Sequence, residues 1–237
     1  MEKREKIYEG KAKIIFATDE PGVVIHSFKD SATAFDGKKK GEIAGKGSVN
    51  AQISAALFNL LEGAGVKTHF RSLRGENELV TDWLEMIPLE VITRNVAAGS
   101  LAKRLGYPEG KRLKKAIVEF YYKDDSLGDP IVNEDHIAEL AAATPDEVRL
   151  LKEIALKVNE LLSSFFGGLG LVLVDFKLEF GRKDGELVLA DEISPDTCRL
   201  WDEETGERLD KDRFRRDLGR VEEAYREVLA RVKGAAR

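Results

Sequence analysis

The sequence predicts an α+β fold in two lobes, with antiparallel sheets and flanking helices. Three observations carry this. Short strand patterns joined by glycine-bearing turns fill the first third, two long helical patterns follow Ser48 and Thr144, and a hairpin pattern with one charged face begins at Leu171. Tight reversals between strands make antiparallel neighbours, because parallel pairs need a long crossover.

Residues 6–9 and 13–18 read as strands around Gly10-Lys11-Ala12, a connection with lysines at positions 11 and 13. It is either a surface hairpin or one that lays N–H groups and two ammonium groups over a triphosphate. Residues 23–28 form a third strand, followed by a polar loop through Asp36 and Gly37. The stretch GKKKGEIAGKG, 37–47, fits a solvated linker or a mobile lid over anions. Ser48 is expected to cap a helix whose Val49, Ile53, Ala56, Leu57, Leu60 and Leu61 share one face. Residues 68–73 and 79–84 are strands, and the proline-marked Glu85-Met86-Ile87-Pro88 reads as the junction between lobes 1–86 and 87–237.

Residues 89–95 form a strand carrying Glu90 and Arg94 into a short helix, 100–105, that Gly106 stops. A Gly-Ser helix start exposes unpaired N–H groups, and Arg94 could clamp an anion there; an ordinary cap with a surface arginine is the other reading. A strand over 116–123 and a short helix capped by Asn133 follow. Thr144-Pro145-Asp146-Glu147 joins an N-cap, a first-turn proline and a capping-box glutamate. It opens a helix with Val148, Leu151, Ala155, Val158, Leu162 and Phe165 on one face.

After the apolar run 171–174, Asp175, Lys177 and Glu179 alternate with Phe176, Leu178 and Phe180. This is a strand with one charged face. The face suits either solvent or a divalent-metal site for phosphate chemistry, since Mg²⁺ takes one or two carboxylates plus phosphate oxygens. If the turn is the three residues Lys183-Asp184-Gly185, with Gly185 left-handed, Asp191 sits opposite Lys177 and Glu179 lies diagonally from it. A two-residue turn would put Asp191 on the face away from Glu179. Beyond the hairpin, Arg199 could clamp an anion or pair with a hairpin acid, and Cys198 reads as a packing residue. One helix over 211–232 is expected to end the chain.

A net charge of −5 over 237 residues, with both signs mixed, disfavours a nucleic-acid surface. The single Cys198 excludes an internal disulfide, and the three isolated histidines disfavour a histidine metal site or a Ser/His triad. The start, MEKREKIYEGK, is charged where a secretory signal is apolar, and no run approaches the ~18 apolar residues of a membrane span. The expectation is a cytoplasmic protein with no membrane partner. Charged residues reach 34%, and Gln52 is the sole glutamine. That pattern points to a thermophilic source, so the purified protein is expected to melt above about 65 °C.

The stretches YEGKAK (8–13), MIPLEVITRNVAAGS (86–100), LVDFKLEFG (173–181) and DEISPDTCRLW (191–201) resemble the SAICAR synthetase family, the phosphoribosylaminoimidazole-succinocarboxamide synthases of purine biosynthesis. The resemblance implies a two-lobed fold related to ATP-grasp enzymes and kinases, with ATP in the cleft. It implies a ligase that activates the carboxylate of carboxyaminoimidazole ribonucleotide (CAIR) with ATP and joins it to L-aspartate. Gly10, Lys11, Ala12 and Lys13 would then cover the ATP phosphates, with Met86 offering its backbone to adenine. Glu179 and Asp191 would hold Mg²⁺, and Arg94, Ser100 and Arg199 the nucleotide 5′-phosphate, with Asp36 in the same substrate pocket. Lys177 would neutralise charge at the reacting carboxylate, and Asp175 would support the metal or take a proton from the aspartate ammonium. A kinase-like small-molecule phosphotransferase is the main alternative, though no His-Arg-Asp pattern is present. A module that binds nucleotide without turnover is a third. Base rates favour a homodimer.

Overall fold

The computed structural model describes residues 1–34 and 38–235. The chain begins with β1 (Lys3–Glu9), β2 (Lys13–Thr18) and β3 (Val23–Phe28), then a two-stranded ribbon of β4 (Ser31–Ala34) and β5 (Lys39–Glu42). Helix α1 (Lys46–Gly63) follows, then β6 (Phe70–Arg74) and β7 (Glu78–Asp82), closing a five-stranded sheet ordered β1-β2-β3-β7-β6. The glycine- and lysine-rich stretch is thus ribbon and helix start over its described part. Asp36 lies outside the described residues.

Helix α1 starts two residues before the expected Ser48 cap. Asp30, from outside the helix, accepts from Gly45 N (2.9 Å) and Gly47 N (2.8 Å), so an acid far back in sequence satisfies the orphan donors. Gly47 also has to be glycine: a Cβ there would lie 2.7 Å from the Phe28 carbonyl oxygen.

The second sheet draws on β8 (Glu85–Val96), then, after α2 (Gly99–Leu105), β9 (Arg112–Tyr122) and β10 (Ile131–Val132). Helices α3 (Glu134–Glu139) and α4 (Pro145–Gly167) precede β11 (Leu171–Lys183), β12 (Glu186–Ala190) and β13 (Cys198–Asp202). Their order is β10-β9-β8-β11-β12, with β13 also on β11, all antiparallel. The Glu85–Pro88 stretch read as a junction is the first part of β8. Pro88 falls where the β8–β11 register jumps from Glu179↔Glu90 to Gly181↔Met86, an irregularity that tolerates its missing N–H.

The capping box on α4 forms as the sequence predicts, Thr144 Oγ1 accepting from Glu147 N and Glu147 Oε2 from Thr144 N at 2.7 Å. The helix buries Val148, Leu151, Ala155, Val158, Leu162 and Phe166 against β11 and β8, each worth about 1.5–3 kcal/mol for the larger side chains. Phe166, not Phe165, is the fully buried aromatic. Arg182 of β11 donates Nε to Glu147 Oε1 at 2.6 Å, tying helix start to hairpin. That bond holds Glu147 down to about 2, from an ordinary 4.5. A lowered folded-state value stabilises the fold above pH 4.5, and the contribution fades as pH falls toward 2. Glu147→Gln is therefore expected to remove about 1–2 kcal/mol of the acid-side dependence, after allowing for solvent screening. Urea midpoints at about pH 6 and about pH 3 measure it, and an unchanged difference between them would count against the pairing.

The β11–β12 hairpin departs from the three-residue turn that the family resemblance makes the expected geometry. Lys183 pairs with Glu186, leaving a two-residue loop with Asp184 at φ 52 and Gly185 at φ 79. Both central residues are left-handed, the pattern that matches strand twist in a two-residue turn. Gly185 is left-handed as expected, but Glu179 now faces Ala190 rather than lying diagonal to Asp191. The hairpin also touches the first sheet, since His69 N donates to Leu189 O (2.9 Å) and Leu189 N to Lys67 O (3.0 Å).

The C-terminal pattern is two helices, α5 (Asp212–Arg215) and α6 (Val221–Ala235). Asp217, Gly219 and Arg220 take positive φ between them, and Arg213 binds the exposed Leu218 and Gly219 carbonyls through its guanidinium. An arginine inside the expected helix thus caps a break in it. Among the described residues no helix is long and apolar enough to cross a membrane.

Candidate active site

Strand alternation aims Asp175, Lys177 and Glu179 into a cleft of about 1920 Å³ lined from both sheets. Lys177 Nζ lies 2.8 Å from Glu90 Oε1 and 2.6 Å from Glu179 Oε1. Glu90 reaches it because β8 pairs Glu90 with Glu179. Lys123, just past β9, donates to the other Glu179 oxygen. Burial alone would lower the Lys177 ammonium, but the carboxylates of Glu179, Glu90 and Asp191 hold it well above the ordinary lysine value. It carries a full charge at neutral pH.

Asp191 reaches this cluster by a route the turn argument did not contain. Strand β12 ends at Ala190, and Asp191 takes φ 65, turning the chain out of the sheet. Its carboxylate accepts from Lys13 Nζ, while Glu192 Oε1 sits 3.7 Å from the same ammonium. Burial opposes ionisation of Asp191, yet Lys13 and Lys177 pull it well below the ordinary carboxylate range. Burial wins at Glu192, whose value is raised against the pull of Lys13. The face assignment was lost and the convergence of charges recovered, for a backbone reason.

The β1–β2 connection borders the same cleft. Gly10 N donates to Lys13 O at 2.9 Å, Lys11 Nζ lies 2.7 Å from Asp125 Oδ1, and Ala12 O accepts from Lys29 N. Met86 lines the cleft from the start of β8 and is exposed.

At another corner Arg94, buried on β8, donates to Glu119 (2.7 Å), Asp175 (2.8 Å), Ser100 Oγ (3.1 Å) and Tyr121 OH (3.2 Å). Arg199 of β13 pairs with Asp175 at 2.8 Å and with Asp212 at 3.0 Å. The structure thus brings Arg94, Ser100 and Arg199 together, with Asp175 between the guanidinium groups. Gly99 opens α2 at φ 52, and a Cβ on it would lie 2.7 Å from Arg199 Nη2. Gly99→Ala is expected to cost about 1–2 kcal/mol through backbone strain and displaced guanidinium. A urea melt measures this, and a variant as stable as its parent would show the close approach to be unimportant.

Glu179 and Asp191 offer oxygen donors only, which suits a hard divalent cation. Among the described residues no group of three or more Asp, Glu, His or Cys is placed to hold a metal. A cation bound by two carboxylates and phosphate oxygens needs no such group.

Several cleft residues escaped sequence reasoning. His26 and His69 meet edge-to-face at 5.4 Å, both lining the cleft. Burial lowers both, His69 to about 4, so neither carries charge at pH 7. Lys46 is buried with its Nζ 2.8 Å from Asp196 Oδ2, and Lys123, Lys211 and Arg215 line the cleft too. No local pattern marks these pairs, because their partners are far apart in sequence. Cys198 is buried and burial pushes its thiol up, as suits a packing residue.

A sequence model of the SAICAR synthetase family matches residues 6–232. A phosphoribosylaminoimidazole-succinocarboxamide synthase of Persephonella marina is 56% identical over 232 residues, covering 98% of each chain. The crystal structure of the enzyme of that name from Ehrlichia chaffeensis superposes with TM-score 0.95 at 51% identity, over 97% of this chain and 98% of that one. A SAICAR synthetase (Type-2) in complex with ADP gives TM-score 0.93 at 54% identity, over 96% and 97% of the two chains. The motifs around the charged hairpin, the matched fold and near-complete coverage agree, and the chain belongs to the SAICAR synthetase family.

Proposed function

We propose that the chain is an ATP-dependent ligase that joins L-aspartate to the carboxylate of CAIR, giving SAICAR, ADP and phosphate. The observation that carries this is the arrangement of three stations along one cleft. The Gly10–Lys13 loop lies on one side, the Lys177, Glu179 and Asp191 cluster in the middle, and the Arg94, Ser100 and Arg199 corner beyond it. Residues 1–86 supply the cover and residues 87–237 the floor.

A carboxylate is a poor electrophile, so it must be phosphorylated before an amine can displace phosphate. Both reactants in that first step are anions. Lys11 and Lys13 take the ATP phosphates, and the Met86 backbone meets the base. Lys177, held cationic by its acid neighbours, offsets charge where the CAIR carboxylate meets the γ-phosphoryl group. Ser100, Arg94 and Arg199 anchor the 5′-phosphate, fixing the carboxylate's reach; such alignment can be worth about 7–11 kcal/mol. Mg²⁺ held by Glu179 and Asp191 would stabilise phosphoryl charge when bound. Asp175, pinned between Arg94 and Arg199, positions both arginines and is the candidate to take a proton from the attacking ammonium.

The test is ADP release with CAIR present, with and without L-aspartate. Aspartate-dependent release with SAICAR formed is the expected result. Aspartate-independent release with a phosphorylated product would replace the ligase by a phosphotransferase, and nucleotide binding without release would replace it by a sensor.

A further inference from the structure

Arg199 meets two acids of different standing: Asp175 lines the cleft, whereas Asp212 is 1% exposed and is not among the lining residues. Arg199 Nη1 donates to both oxygens of Asp175, at 3.0 and 2.8 Å, and its Nε donates to Asp212 Oδ2 at 3.0 Å. A contact through one nitrogen is a pivot about which the planar guanidinium can swing. A second contact on a different nitrogen fixes the plane. The nitrogen left over, Nη2, lies over the backbone where α2 begins, 2.7 Å from where a Cβ on Gly99 would stand. Ser100 and Arg94 meet at the same corner.

Asp212 is itself held by the chain around it. Asp210, fully buried, accepts from Leu200 N (2.9 Å) and from Asp212 N (2.7 Å), so one carboxylate ties the start of α5 to the strand that carries Arg199. Leu209 N adds a bond to Leu200 O at 2.8 Å. The Asp212 side chain serves more than one cation: Oδ1 accepts from Arg215 at 2.6 Å, and Arg216 Nη2 lies 3.8 Å from Oδ2. Burial opposes its ionisation, yet Arg199 and Arg215 hold it below the ordinary carboxylate value. Three guanidinium groups share that one negative charge, so it does not cancel the charge of Arg199.

We infer that Asp212 is a positioning residue, a brace that sets the guanidinium plane of Arg199 so that Nη2 is aimed before the nucleotide substrate arrives. This rests on the placement of the CAIR 5′-phosphate at the Arg94, Ser100 and Arg199 corner. Asp212 touches no substrate in this arrangement and acts on the nucleotide through Arg199. An arginine already fixed in its binding geometry loses little torsional freedom when the phosphate docks, and the saving appears as affinity.

Steady-state kinetics on Asp212→Asn, Asp212→Glu and Arg199→Ala, alone and combined, test the brace, with ribose 5-phosphate as a phosphate-monoester probe that competes with CAIR. Asp212→Asn is expected to raise the KM for CAIR and the inhibition constant of ribose 5-phosphate at least about 20-fold each, with kcat and the KM for ATP changed less than about threefold. Asp212→Glu keeps the charge on a longer stem and should restore most of this, leaving about a two- to fivefold loss. In an Arg199→Ala background Asp212→Asn should add less than about threefold, because the group it holds is gone. An acid that only supports the fold would not depend on Arg199 in this way. A thermal melt checks each variant, and if Asp212→Asn fails to fold, the Asp212→Glu loss decides by vanishing in the Arg199→Ala background. Losses of equal size with and without Arg199, CAIR and ATP constants rising together, or a folded Asp212→Asn within about threefold of its parent while Arg199→Ala is impaired, would overturn the brace. Arg199→Ala that leaves both CAIR and ribose 5-phosphate unaffected would instead overturn the phosphate placement, and the brace with it.

Discussion

Glu179→Gln is expected to lower kcat by at least about 10³-fold, equivalent to about 4 kcal/mol of transition-state stabilisation, while the protein stays folded. The side chain is 6% exposed and its two oxygens accept from Lys177 and Lys123. An amide of the same shape keeps the packing but removes the negative charge that balances both ammonium groups. It also turns an NH₂ toward one of them. The reacting centre then has excess positive charge from protein and one fewer anionic ligand for a divalent cation. Lys177 retains Glu90, so the stability loss should stay near about 1–2 kcal/mol. Kinetics across a Mg²⁺ titration, paired with a thermal melt, give the answer. Activity within about tenfold of the parent at ordinary Mg²⁺ would remove Glu179 from the metal and charge-balancing roles.

Asp196→Asn is the most destabilising single change expected, at about 3–5 kcal/mol, because it leaves a buried charge unpaired. Lys46 is 1% exposed, and among the described residues Asp196 is its only carboxylate ion-pair partner. Lys211 and Tyr225 converge on the same carboxylate. Lys46→Met should cost less by more than about 1 kcal/mol, since Asp196 would keep Lys211 and Tyr225 and the methionine stem fills the space. Burial opposes ionisation of Asp196, but Lys211 and Lys46 hold it well below its ordinary 3.8. The pair therefore stabilises the fold above that pH and its contribution fades on acidification. Guanidinium midpoints for the two variants decide the matter: equal losses, or less than about 1 kcal/mol for Asp196→Asn, would show that the buried pair is not a net support.

Much of the fold was legible because its signals are local. The α4 capping box, the Gly106 stop and the alternation in β11 each depend on residues within a few positions, where backbone geometry dictates who meets whom. Three of the misread elements depend on something distant. Helix α1 starts early because Asp30 caps it from outside. The C-terminal helix breaks where Arg213 binds the Leu218 and Gly219 carbonyls. Pro88 sits inside a strand because the β8–β11 ladder is irregular there.

By itself the sequence determined that Lys177 and Glu179 share a face, since period-two alternation follows from strand geometry alone. It also carried the family motifs that place Arg94, Ser100 and Arg199 in one site. Only the tertiary structure decided whether Asp191 joins the hairpin acids. The two-residue turn sends it to the wrong face, and the left-handed backbone at Asp191, with Lys13 arriving from the first sheet, brings it back. The same holds for Lys46 with Asp196 and for His26 with His69, which meet across long stretches of chain. A charged side chain in a sequence shows its sign and reach, but its partner is chosen by the packing that desolvates both.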